Sequence, residues 1–121
     1  MEDYKLFDAE YRLMNLVWER GSVNSTALSR LCTERFGWKK STAFNLIRKL
    51  TERGFLKSEN ATVTALVGQE DVRRYESETV VEKTFGGSLP AFVASFLKGR
   101  RLTEAETEEL RTMIEEAGRD E

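Results

Sequence analysis

WKKSTAFNLIRKLTERG, residues Trp38 to Gly54, has the spacing of a two-faced helix. Ala43, Leu46, Ile47 and Leu50 recur at i, i+3, i+4 and i+7, which stacks apolar side chains on one side. The helix is expected to begin near Lys40 and to stop at Gly54, just after Arg53. With about 100° of rotation per residue, Ser41, Asn45, Arg48 and Glu52 fall opposite the apolar stripe, and Phe44 and Lys49 lie on its flanks. One face is suited to a core, and the other presents hydrogen-bonding groups and cations.

Upstream, Asp8 and Glu10 favour a helix start, and Leu13, Met14, Val17 and Trp18 continue at helical spacing until Gly21. Asn24 can cap a second, short helix with Leu28, Leu31 and Cys32 as its stripe, ending near Phe36 and Gly37. Downstream of Gly54 the pattern changes to Phe55-Leu56-Lys57-Ser58, a turn at Glu59-Asn60-Ala61, and the β-branched run from Thr62 to Val67. This predicts a two-stranded hairpin. Three short helices followed by a hairpin is the winged-helix arrangement, whose third helix enters the major groove of DNA. Residues 1–68 are therefore expected to form one winged helix-turn-helix domain.

Residues 69–121 carry only helical signals, so the expected fold class is mainly α with a small β-hairpin. Glu70 and Asp71 favour the start of a helix that runs to Phe85, where Gly86-Gly87 breaks it. Ser88 can cap the next helix, with Pro90 tolerated in its first turn, and Ala91 to Leu97 is apolar around nearly its whole circumference. Thr103 and Glu106 make a capping box ahead of a helix striped by Leu110, Met113, Ile114 and Ala117. Three helices in about 50 residues give a thin core that needs outside support. A second copy of the chain is the simplest support, covering Phe85, Phe92, Val93, Phe96, Leu97, Leu110, Met113 and Ile114. No repeat or low-complexity linker is evident, so the two parts are expected to join directly around Gly68 to Glu70.

Composition narrows the function. The 121 residues are 40% hydrophobic and 33% charged, an ordinary globular balance. No window approaches the roughly 18 to 20 uncharged apolar residues of a membrane span. Met1 to Asp8 carries acids where a leader would be basic, so a cytoplasmic protein without membrane insertion is expected. The single cysteine, Cys32, excludes an internal disulfide or a paired-cysteine zinc site, and its apolar neighbours favour burial. Histidine is absent, which removes the commonest general base and a common metal ligand. The pairs Glu108–Glu109 and Glu115–Glu116 read as a solvated helix face, so neither an enzyme nor a cofactor is expected. The net charge of −2 hides an asymmetry: residues 1–68 hold 11 basic and 8 acidic side chains, and residues 69–121 hold 8 and 13. Lys39, Lys40, Arg48, Lys49, Arg53 and Lys57 stand against Glu52 alone between positions 39 and 57, a concentration suited to phosphates.

Several segments then carry a family likeness. Asp8-Ala9-Glu10 leading to Met14 and Val17-Trp18-Glu19, Gly37-Trp38 before Ser41-Thr42, and Arg53-Gly54 follow one another in a characteristic order. So do Phe85-Gly86-Gly87-Ser88 and Leu102-Thr103 running into Glu108-Glu109-Leu110. Over nearly its full length the chain resembles the penicillinase-repressor (BlaI/MecI/CopY) family of winged-helix transcriptional regulators.

The resemblance implies a homodimeric repressor of a roughly palindromic promoter operator, whose two third helices enter successive major grooves. It places Ser41, Thr42, Asn45 and Arg48 in the groove and leaves Lys39, Lys40 and Lys49 to phosphates. Asn45 suits adenine and Arg48 suits guanine. Ser41 and Thr42 are equally suited to starting a helix. Phe44 departs from the polar or basic residue common in the family, and either touches a thymine methyl or packs under the wing. The wing also departs, with Glu59-Asn60-Ala61-Thr62 in place of basic and aromatic residues and Lys57 its one nearby cation, so affinity is expected to rest on the third helix.

In the antibiotic-responsive branch a membrane sensor-protease system relieves repression by cutting an Asn-Phe bond. The matching bond is Ser95–Phe96, in which Phe96 agrees and Ser95 does not; Phe96 equally suits a dimer core. The copper-responsive branch has a cysteine-rich tail, whereas this chain ends Gly118-Arg119-Asp120-Glu121, so sensing of that kind is not expected. The acidic total and uncharged wing favour an alternative, a winged-helix module that pairs proteins without reading DNA.

Overall fold

The computed structural model describes residues 3–119; Met1 and Glu2, and the Asp120 and Glu121 of the C-terminal end, lie outside the described residues. Its elements are α1 (Asp8–Arg20), β1 (Ser22–Asn24), α2 (Ser25–Phe36), α3 (Lys40–Glu52), β2 (Leu56–Glu59), β3 (Thr62–Ala65), α4 (Gln69–Phe85), α5 (Leu89–Leu97) and α6 (Glu104–Ala117). They divide into two compact units, Met1–Thr79 and Val80–Glu121.

In the first unit, local chemistry sets the helix ends. The Asn24 side-chain oxygen accepts the N–H groups of Thr26 and Ala27 at 2.9 and 3.1 Å, satisfying two donors that α2 itself leaves open. Gly37 ends α2 at φ 72°, a left-handed conformation that glycine adopts without steric cost. The start of α1 is less ordinary, because the Glu10 carboxylate turns back to accept the Phe7 N–H at 2.9 Å. The same carboxylate receives Arg53 Nη1 at 3.1 Å on both oxygens. Arg53 Nη2 also donates to the Lys5 carbonyl, and the guanidinium lies 4.7 Å from the Phe55 ring centroid. Arg53 therefore joins the far end of α3 to the beginning of α1. Its charge is used inside the fold, which removes it from the phosphate-binding excess inferred above.

The sheet has the order β1-β3-β2 and is antiparallel throughout. The hairpin β2–β3 pairs Glu59 with Thr62 across a two-residue turn, and both turn residues are left-handed, Asn60 at φ 53° and Ala61 at φ 61°. That conformation matches the twist of the flanking strands. The sheet gains a third strand beyond the expected hairpin: Ser22, Val23 and Asn24 pair with Thr64, Val63 and Thr62. Three residues carry too little alternation to announce a strand, and pairing with a distant segment is what creates this one.

Leu13, Met14, Leu16 and Val17 of α1 meet Leu28 and Cys32 of α2, Ala43, Ile47 and Leu50 of α3, Val63 of β3 and Val72 of α4 in one buried cluster. Burial pushes the Cys32 thiol up to about 11. The first turns of α4 belong to this unit, and Trp18 Nε1 donates to the Val67 carbonyl at 2.9 Å just ahead of them.

In the second unit the expected caps are present. Ser88 Oγ accepts the Ala91 N–H at 3.1 Å, and Thr103 Oγ1 and the Glu106 carboxylate accept each other's backbone N–H at 3.0 Å. Phe85 and Phe92 meet edge-on at 5.5 Å, and Arg100 donates to the Phe96 carbonyl at 2.7 Å while lying over its ring. No residue of α5 or α6 is buried. Phe96, Met113 and Ile114 stay 54%, 59% and 69% exposed, and an open groove of about 530 Å³ runs between the two helices over Phe92, Phe96, Leu97, Leu110 and Met113. Among the described residues no helix is long and apolar enough to cross a membrane.

Candidate nucleic-acid interface

The exposed side of α3 is built from its buried side. Ala43, Ile47 and Leu50 are buried, which fixes the rotation of the helix. Ser41, Thr42, Asn45, Arg48 and Lys49 are then left exposed, together with Lys39 and Lys40 at its start. The N-cap is Lys39, without a side-chain cap bond, so Ser41 and Thr42 lie inside the first turn. Their hydroxyls are not what starts the helix.

The approach to α3 is held by contacts that sequence reasoning missed. Thr33 Oγ1, in the last turn of α2, donates to the Trp38 carbonyl at 2.8 Å. The Trp38 ring packs on Phe36 at 4.9 Å, and the Arg12 guanidinium lies 5.7 Å from the Phe36 centroid. These bonds tie the end of one helix to the residue before the next and set the angle at which α3 is presented. Gly37-Trp38 pointed to the turn, but nothing local identified Thr33 or Arg12 as its supports.

Charge is distributed unevenly over the site. Among the described residues, Lys39, Lys40, Arg48 and Lys49 form no ion pair, and Lys40 Nζ lies 5.9 Å from the Phe44 ring centroid. Phe44 itself is half-buried. The wing is different: Lys57 is paired with Glu59 at 3.5 Å, and the turn beyond them is Asn60-Ala61. Four unpaired cations on and beside a rigid helix can neutralise phosphates, whereas the tip of this wing offers none. No group of acidic or cysteine side chains among the described residues is arranged to hold a metal.

A helix-turn-helix backed by a three-stranded sheet, with an exposed cationic third helix, defines a winged-helix transcription regulator. A family profile described as "Penicillinase repressor" matches residues 6–116, and the chain belongs to that family. It is 25% identical to the methicillin resistance regulatory protein MecI of Staphylococcus aureus (strain N315) over 92% of this chain and 94% of that protein. The penicillinase repressor of Bacillus licheniformis is 22% identical over 93% and 91% of the two chains, and that of Staphylococcus aureus 26% identical over 88% and 87%. Among solved structures, the reduced form of MarR from E. coli is similar at 13% identity and a TM-score of 0.48, covering 98% of this chain and 81% of that one. The family is one of transcriptional repressors, which are not enzymes.

Proposed function

We propose that the protein represses transcription as a homodimer bound to a roughly palindromic promoter operator, with α3 of each copy in a major groove. The observation that carries this reading is the exposed strip of α3, whose cations are free of ion pairs among the described residues while its opposite face is locked into the core. Ser41, Thr42, Asn45 and Arg48 are the proposed base contacts, and Lys39, Lys40 and Lys49 the phosphate contacts. Lys57 contributes little, because Glu59 already partners it. The apolar surface left open on α5 and α6 supports pairing through Phe85, Phe92, Val93, Phe96, Leu97, Leu110, Met113 and Ile114. The proposed division is 1–68 for DNA and 69–121 for pairing, although Val72 in the first turn of α4 packs into the core of the first unit.

Targets of the antibiotic-resistance type are part of the proposal, supported by the names of the relatives. Release by a membrane sensor-protease at Ser95–Phe96 is a further part of the proposal. Both residues are exposed, but the bond lies within α5, which must unwind to enter a protease cleft. Selection of binding sites from random duplexes tests the core of the reading. Enrichment of an inverted repeat with half-sites about one helical turn apart supports it. Recovery of no preferred sequence at moderate salt overturns it in favour of a protein-pairing module.

A further inference from the structure

The three anchors of α3 are buried, whereas Phe44 has one side against the core and the rest open. Helix geometry sets it beside Ser41, three residues earlier, and Arg48, four residues later, both exposed. Lys40, one turn back, holds its ammonium over the ring. The partly open ring thus has Ser41 and Arg48 as its neighbours along the helix and the Lys40 ammonium 5.9 Å from its centroid, on the border of the strip proposed to face DNA. A ring set there excludes water from whatever it covers, and covering a base nitrogen or oxygen without a hydrogen bond carries a desolvation penalty. In the major groove the bases present donors and acceptors, and thymine alone adds an apolar group, its 5-methyl.

We infer that Phe44 is a specificity-determining residue that reads thymine through its 5-methyl group. This rests on the reading that α3 enters the major groove, and extends it to the identity of one base pair per half-site. Arg48 and Asn45 distinguish guanine and adenine by hydrogen bonds, and Phe44 distinguishes thymine by apolar contact.

The test uses the full-length protein and its selected operator, with each thymine replaced in turn by deoxyuridine, which removes only the methyl group. Wild-type protein should lose about three- to fivefold in affinity at one thymine of each half-site, the effect of one buried methyl. Phe44→Ala and Phe44→Gln should bind the thymine and uracil operators equally well. Phe44→Leu should keep part of the difference. Wild-type protein that prefers its operator but ignores every deoxyuridine overturns the inference and leaves the repressor reading standing, as does a methyl effect that persists in Phe44→Ala. If wild-type protein has no preferred sequence, both fall together. If Phe44→Ala and Phe44→Gln fail to fold, Phe44→Leu carries the test, because it keeps apolar bulk against the core: a methyl effect as large as in the wild type overturns the inference.

Discussion

Glu10 is 5% exposed, yet its carboxylate is fully partnered by the Phe7 N–H and the Arg53 guanidinium. A buried charge tolerates the loss of its partner poorly, because the survivor remains desolvated. Arg53→Met should lower unfolding free energy in urea by about 2 kcal/mol, at the weak end for such a pair because the arginine side chain keeps 32% exposure. A loss below about 0.5 kcal/mol would place the arginine in solvent. Ala61 is a strain of the opposite kind, a residue with a Cβ held at φ 61° where glycine is at ease. Ala61→Gly should raise stability by about 0.5 kcal/mol, the steric relief being partly offset by greater freedom in the unfolded chain. Cys32 gives a pH signature. Its folded pKa of about 11 exceeds the ordinary value of 9.0, so the native thiol keeps its proton where the unfolded one has lost it. The Cys32 contribution to stability is full below pH 9 and declines as pH rises from 9 through about 11. Cys32→Ala should flatten that decline in denaturation measured across the range, and native Cys32 should resist alkylation at neutral pH.

Among the elements, α3 shows what a sequence reveals by itself. Its stripe was readable because one helix face repeats every three to four residues, and the caps at Asn24, Ser88 and Thr103 were readable because each side chain bonds a backbone group two or three residues away. Arg53 was misassigned for the converse reason. Its partner lies 43 residues upstream, and composition counts a paired cation as readily as a free one. β1 exists only through β3, and Thr33 looks like any exposed threonine until the turn closes over it. For the candidate site, the exposed residues of α3 were legible and the contacts that aim them were not. Two substitutions separate the proposed roles within the helix. Arg48→Ala should reduce operator affinity by about 2 to 6 kcal/mol over the two half-sites and relax preference at one position in each, whereas Lys39→Ala should weaken binding to all sequences and flatten the salt slope by about two units, one per copy. Equal effects of both on random and operator DNA, measured by fluorescence anisotropy across salt, would remove Arg48 from base recognition.

At the level of the whole molecule, the first unit encloses a core and the α5–α6 pair does not. Ile114→Glu places a charge on surface that is 69% exposed in one chain, so it should leave the fold of the first unit intact. Under the pairing proposed here it should also shift the protein to monomer in sedimentation and cost at least about tenfold in operator affinity, because two linked half-sites become independent. A variant that still sediments as the wild type would move the interface off α6. The uncovered α5–α6 groove also bears on how a cell sets the response. Under the pairing proposed here, the active species scales with the square of chain concentration when chains are scarce, so a tenfold dilution lowers the number of pairs about a hundredfold. Under that proposal repression has a threshold, and dilution of the chains as a cell grows lowers the pairs faster than the chains, without every molecule having to be destroyed.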